Sequence, residues 1–292
     1  CMKFPIVIKG LNEIIDKYDI FILDQWGVMH DGRIGFDYAI NCVNELVKQK
    51  KKLIIISNSS KRKDLTINRL PSLGYDPNDF DEVMTSGEMI WQSLKKSNYD
   101  FTKKLKKNCY YLYDETKNEG TEYISKLKKF NFIKDIKDAD FILATTISNK
   151  MKTLDYMPIL DLALKKNIPL ICANPDFETL ENDSLTICMG TIAELYKSLG
   201  GSIFILGKPK KDIYIESTKQ IIELDKSKIL AVGDSIYHDI QGANLFGIDS
   251  VLITSGIHNS IFKDDHSKWN TELNNFKNSD ILPTYMCSNF KY

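Results

Sequence analysis

Short apolar runs, each followed by a polar loop and then by an amphipathic stretch, recur along the chain. The runs that read as strands are Ile20–Leu23, Leu53–Ile56, Val83–Met84, Tyr110–Tyr113, Phe141–Ala144, Leu170–Cys172, Ile203–Leu206, Ile229–Val232 and Ser250–Ile253. Between them, residues 37–50 set Ile40, Val43, Leu46 and Val47 on one helical face, and residues 211–223 carry Ile213, Ile215, Ile221 and Ile222. Strands made of near-continuous Ile, Leu and Val are buried on both faces. Their alternation with helices of roughly ten to fifteen residues predicts a parallel sheet covered on both sides, an α/β fold. No repeat of solenoid period and no low-complexity linker interrupts the pattern.

Composition narrows the picture. With 43% hydrophobic and 11% aromatic residues, the 292-residue chain can bury a large core, and its length leaves room for a second domain. Lys plus Arg and Asp plus Glu both total 39, so overall charge makes no case for nucleic acid or an anionic membrane as partner. The lysine clusters at residues 50–52 and 103–107 lack interleaved aromatics and read as solvated helix ends or faces. The early stretch FPIVI reaches Lys9 too soon for a signal segment, and a cytoplasmic protein is expected. Six scattered cysteines (Cys1, Cys42, Cys109, Cys172, Cys188, Cys287), with no CxxC pair, are expected to be reduced; Met2 is read as the natural start and Cys1 is set aside.

In an open parallel sheet, chemistry gathers at the carboxyl ends of the strands. Asp24-Gln25-Trp26-Gly27 follows the first long run, Ser57-Asn58-Ser59 the second, Gly207-Lys208-Pro209 the run at 203–206, and Gly233-Asp234-Ser235 through Asp239 the run at 229–232. Two carboxylates with a backbone carbonyl are hard ligands suited to Mg²⁺, and Asp24 could turn its second oxygen on phosphorus. Lys208 would offset charge on phosphoryl oxygens while Ser57 and nearby amides donate hydrogen bonds. Taken singly, Asp24 could be a strand-end turn former, Ser57-Asn58 a helix cap, Lys208 a surface lysine, and Asp234 or Asp239 a cap carboxylate. Their joint occurrence, each after an apolar run, favours the chemical reading.

With these residues in place the chain, from about Tyr18 to about His258, resembles the haloacid dehalogenase superfamily, specifically its class IIA phosphatases. DQWGVMHDG and LIIISNSSKR are similar to that family's first two motifs; GKPKKDIY and AVGDSIYHDIQGANLFGIDSVLITSGIH are similar to the third and fourth. The resemblance implies a Rossmann-like core (1–87 and 201–292) with an inserted C2-type α/β cap (88–200). It implies Asp24 as nucleophile, Mg²⁺ held by Asp24, Asp234 and the Trp26 carbonyl, and Ser57 and Asn58 as phosphate contacts. Lys208 would neutralise charge and Asp239 would be a supporting carboxylate. Cys172-Ala173-Asn174-Pro175-Asp176 resembles the Asn-Pro-Asp turn of such caps, which puts Asn174 and Asp176 on the substrate side; an ordinary turn explains the same residues. A small phosphorylated metabolite is the expected substrate, and a homodimer the expected assembly.

Trp26 departs from the family pattern, whose phosphatases carry a second aspartate there as general acid and base. Its loss predicts rates lower by ~10²–10⁴ on unactivated alkyl phosphates, a preference for aryl or acyl phosphates, and unchanged metal binding. His30 or Asp31 could substitute, although Asp31-Gly32 also reads as a plain turn, and Trp26 itself could be a pocket wall or a core residue. Two rivals follow: a 2-haloacid dehalogenase, because those relatives place an aromatic here, and a phospholigand-binding protein that has lost turnover.

Overall fold

The computed structural model describes residues 4–116, 119–148, 151–181, 184–262, 266–274 and 281–292, and Cys1 lies outside them. In chain order the strands are β1 (Ile6–Val7), β2 (Ile20–Leu23), β3 (Lys52–Ser57), β4 (Glu82–Thr85), β5 (Asn108–Leu112), β6 (Asn131–Ile133), β7 (Phe141–Ala144), β8 (Leu170–Cys172), β9 (Glu178–Glu181), β10 (Ser184–Ile187), β11 (Ile203–Phe204), β12 (Ile229–Gly233), β13 (Asp249–Ile253) and β14 (Tyr285–Cys287). They form a seven-stranded parallel sheet ordered β1-β14-β13-β12-β2-β3-β4 and a five-stranded parallel sheet ordered β11-β8-β7-β5-β6. The antiparallel pair β9 and β10 stands apart.

Successive strand residues face opposite sides of a sheet, and both sides of the larger sheet are covered. Phe21, Leu23, Leu53 and Ile55 pack against Ala39, Val43 and Leu46 of the helix Asp37–Lys48. Ile20, Ile22, Ile54 and Ile56 pack on the other side with Ile213, Ala243 and Phe246. That second cluster runs on through Ile90 and Leu94 of the helix Ser86–Lys96 to Phe141, Leu143 and Ile171 of the smaller sheet, so one apolar body joins both units. The helix starts where the Thr85 hydroxyl accepts from Glu88 N at 3.0 Å. It is fixed to the smaller unit by Trp91 Nε1 donating to Tyr123 O (3.0 Å) and Tyr123 OH donating to Gly87 O (2.6 Å).

Several elements differ from the sequence pattern. The run expected as a strand over 203–206 stops at Phe204, whose two-residue strand pairs Ile203 with Leu170 and Phe204 with Ile171. The smaller sheet therefore extends past the expected boundary at residue 200. The strand expected at 110–113 is shifted to Asn108–Leu112, and the helix expected to reach 223 ends at Thr218, with Ile215 and Ile222 exposed. The edge strands β1 and β6, the strand β14 between β1 and β13, and the β9–β10 pair were not anticipated.

Candidate active site

Strands β2 and β12 are neighbours at the middle of the larger sheet, and the chain continues from them to opposite sides, a topological switch point of the kind where α/β sheets bind ligands. Asp24 is the first residue past β2, anchored by its N–H donating to Val232 O at 2.9 Å. The loop behind it is tight: the N–H groups of Val28, Met29 and His30 converge on Gln25 O at 3.3, 2.8 and 3.3 Å. Gly27 has φ +74°, and a Cβ there would lie 2.1 Å from Asp234 Oδ2, so both conformation and contact require glycine.

Lys208 reaches this point from the loop after β11. Its Nζ donates to Asp24 Oδ1 and to Asp239 Oδ1, each at 2.6 Å. Asp239 Oδ2 accepts from Ser235 N (3.1 Å), and Asp234 Oδ2 accepts from Ile257 N (2.9 Å). Carboxylate oxygens of Asp24, Asp234 and Asp239 lie within 4.8 Å of one another. Burial, then repulsion from Asp239, lifts the Asp24 carboxyl to about 7 against the pull of Lys208. Burial, then Asp24 and Asp239, pushes Asp234 well above the usual carboxylate range. Burial opposes the Lys208 charge, but Asp239 and Asp24 hold it well above the usual lysine range. Three carboxyls thus face one ammonium in a buried place, and a cation among them would relieve the repulsion that raises Asp24 and Asp234. The donors are hard oxygens, so the set fits a divalent cation such as Mg²⁺.

Ser57 ends β3, buried, with its Oγ accepting from Ser59 N at 3.2 Å. Asn58, expected as a phosphate contact, has its carboxamide engaged elsewhere. Oδ1 accepts from Lys208 N (2.7 Å), and Nδ2 donates to Lys208 O (3.0 Å) and to Asp176 Oδ1 (2.7 Å). A side chain so committed positions the lysine loop, and any phosphate contact at Asn58 falls to its main chain.

Asp176 belongs to the smaller unit and follows β8. Asn174 Oδ1 accepts from Asp176 N at 3.1 Å and shapes the turn, and the turn packs on Gly190, where a Cβ would lie 2.2 Å from Pro175 O. His238 holds this turn from the larger unit, a role the sequence reading did not assign. Its Nε2 lies 3.0 Å from Pro175 O, which can only accept, so that nitrogen carries the proton and Nδ1 accepts from Ser235 Oγ at 2.9 Å. Nδ1 is also 3.5 Å from Asp176 Oδ1, and the ring packs edge-on against Phe177. A histidine directly before Asp239 was the available signal.

Trp26 is half-buried. Its ring stands edge-on to His30 at 5.2 Å, with Gly32 against its rim and the Arg69 guanidinium 5.7 Å from its centre. Arg69 also donates to Gly32 O. His30 is buried, its Nδ1 accepts from Gly32 N at 3.0 Å, and burial lowers it to about 4, so it has no proton to offer near neutrality. Asp31 Oδ1 accepts from Arg33 N (2.8 Å) and Ile34 N (2.9 Å), the plain turn. Neither substitute for the absent aspartate lines the site.

Two cavities meet here. One of about 20 Å³ lies over Asp24, Asp234 and Asp239. A second, of about 370 Å³, lies between the two units and is walled by Ser59, Lys61, Arg69, Asn174, Thr186 and Met189, among others.

Comparison with known proteins bears on this geometry. A haloacid dehalogenase-like hydrolase profile matches residues 21–122, and a HAD-hydrolase-like profile matches 205–285. A haloacid dehalogenase-like hydrolase from Brucella suis 1330 superposes with a TM-score of 0.80 over 96% of this chain and 98% of its own, at 24% identity. The fold is that of the haloacid dehalogenase-like hydrolases. A possible sugar phosphatase of the same superfamily from Cytophaga hutchinsonii superposes at TM-score 0.75 over 98% of this chain and 99% of its own, with 21% identity. The acid sugar phosphatase of Staphylococcus haemolyticus is 24% identical over 92% of this chain and 92% of its own length. Within the haloacid dehalogenase-like fold, the profile boundaries enclose Asp24, Ser57 and Asn58 on one side and Lys208, Asp234 and Asp239 on the other. Asn174 and Asp176 fall between the two profiles.

Proposed function

We propose that this chain is a phosphatase of small phosphomonoesters, working through an aspartyl-phosphate on Asp24. The observation that carries the reading is the Lys208 ammonium shared at 2.6 Å between Asp24 and Asp239, with Asp234 alongside. A carboxylate so placed at a strand end can act as nucleophile while the ammonium stabilises charge on the phosphoryl oxygens. Asp24, Asp234 and the Trp26 carbonyl would hold Mg²⁺, with Asp239 in support, and the ion when bound supplies Lewis-acid stabilisation of phosphoryl charge. Ser57 Oγ donates to a phosphoryl oxygen, and Asn58 keeps the lysine loop in register.

The unit from 88 to Phe204 acts as a cap: Asp176 and Pro175 dock on Asn58 and His238, excluding water from the small cavity. The names of the relatives favour a sugar phosphate, and the mixed polar wall of the larger cavity, with Asn174, Thr179 and Thr186, suits a hydroxylated leaving group. The three-carboxylate cluster also weighs against the metal-free dehalogenase rival. The test is phosphate release by purified protein across sugar phosphates, with and without Mg²⁺. Release that needs Mg²⁺ and disappears in Asp24→Asn is expected; release that survives Asp24→Asn, or chloride release from 2-haloacids without metal, overturns the reading.

A further inference from the structure

Among the described residues, three line both the small cavity over Asp24 and the large cavity between the units: Trp26, Thr179 and Asp176. They form the neck between the two. A phosphomonoester with its phosphorus beside Asp24 and its leaving group in the larger space must pass its scissile oxygen through this neck. Near neutral pH an indole N–H and an aliphatic hydroxyl are far too weak as acids to protonate an alkoxide, whereas a carboxyl is an ordinary general acid. We infer that Asp176, supplied by the cap, is the leaving-group acid and the later base, the role that the residue at position 26 does not fill.

The contacts of Asp176 fit this. Its side chain is about one-third exposed, and both polar contacts, Asn58 Nδ2 at 2.7 Å and His238 Nδ1 at 3.5 Å, fall on Oδ1. Asn58, the donor of the two, orients the carboxyl, and Oδ2 is left unoccupied. Asn58 is shared with the Lys208 main chain, so the group that orients Asp176 also sets the lysine that contacts Asp24. The proton donor thus arrives with cap closure, and an open cap leaves the neck without one.

The steps balance. An Asp24 oxygen bonds phosphorus as the bond to the leaving oxygen breaks. That oxygen keeps the electron pair and takes the proton of Asp176, giving the free alcohol and an ionised Asp176. Water then enters where the alcohol left, and Asp176 accepts its proton as the water oxygen bonds phosphorus. The bond to Asp24 breaks, releasing phosphate and restoring both carboxyls.

This inference rests on the phosphatase reading, and the experiment separates the two. The full chain with Mg²⁺ is assayed on p-nitrophenyl phosphate and on glycerol phosphate. Asp176→Asn should lose ~10²–10⁴ in kcat on glycerol phosphate. On p-nitrophenyl phosphate, whose phenolate needs no proton to depart, it should give a stoichiometric burst of nitrophenolate followed by slow turnover, because only the water step lacks its base. Asp176→Glu should recover part of the alkyl rate, which guards against a folding defect. His238→Ala, which loosens the cap turn without removing the carboxyl, should raise KM for both substrates and lower kcat on glycerol phosphate by less than Asp176→Asn does. Equal losses on both substrates without a burst would reduce Asp176 to a cap contact and overturn the inference. So would the leaving-group-dependent loss appearing in Glu178→Gln instead, since Glu178 also borders the small cavity. Turnover that survives Asp24→Asn would instead overturn the phosphatase reading beneath it.

Discussion

Asp24→Asn should make the metal-free protein more stable, by an amount that grows with pH. The native site holds the Asp24 carboxyl at about 7, against an ordinary 3.8. A carboxyl that binds its proton more tightly when folded weakens the fold once pH passes its unfolded value. The loss grows until pH passes the folded value and is then constant. Full displacement from 3.8 to about 7 corresponds to roughly 4 kcal/mol. Asparagine imitates the protonated acid, keeping an oxygen for Lys208 Nζ while avoiding the ionisation. Expected, then, is near-equal stability of the two proteins at pH 4 and an advantage for Asp24→Asn that rises to roughly 4 kcal/mol by pH 8. At about 2 °C per kcal/mol for a chain of this size, that is on the order of 8 °C in Tm. The assay is thermal or urea unfolding in EDTA from pH 4 to pH 8. A variant less stable than the parent at pH 8, or one whose advantage does not change with pH, refutes the charge argument for this site.

Added Mg²⁺ should raise the Tm of the parent protein, and Asp234→Asn should abolish that rise, read by the same melts with metal titrated in. Asn58→Ala strips partners from the buried N–H and C=O of Lys208 and should cost roughly 2–4 kcal/mol, measured by urea unfolding. Gly190→Val would drive a side chain into Pro175 O and Asp176 O; the expected result is a raised KM with the larger sheet intact by near-native circular dichroism. Trp26→Asp places a second carboxyl at the neck and should restore alkyl-phosphate turnover in Asp176→Asn by up to ~10², checked by steady-state kinetics on glycerol phosphate.

Legibility in the sequence followed burial. β2, β7 and β8 are continuous apolar runs with every residue buried, and their ends match the pattern. β10 has two exposed residues followed by two half-buried ones, β1 is a two-residue edge strand, and β6 lies in a lysine-rich stretch, so periodicity carried little signal there. Asp24, Asp234 and Asp239 could be brought together from sequence because they follow β2 and β12, neighbours in one parallel sheet; Lys208 follows β11 of the smaller sheet, so its place beside them came from the family resemblance and not from register. The contacts of Asn58 and His238 could not, because they depend on how one unit sits against the other and no local spacing encodes that. The expected aryl preference rested on position 26 alone, where a sequence shows which group is missing but not that a residue 150 positions away faces the same space.

The run from Phe204, hydrogen-bonded into the smaller sheet, to Lys208, seated between two carboxylates of the larger one, has only three residues in between. Four backbone steps reach at most about 14 Å. The lysine therefore rides on the strap that tethers the smaller unit, and Asn58 rivets that strap through both the N–H and the C=O of Lys208. If the smaller unit is the cap proposed above, swinging it away would tug on the lysine that contacts Asp24, so the readiness of Asp24 would be geared mechanically to the position of the smaller sheet.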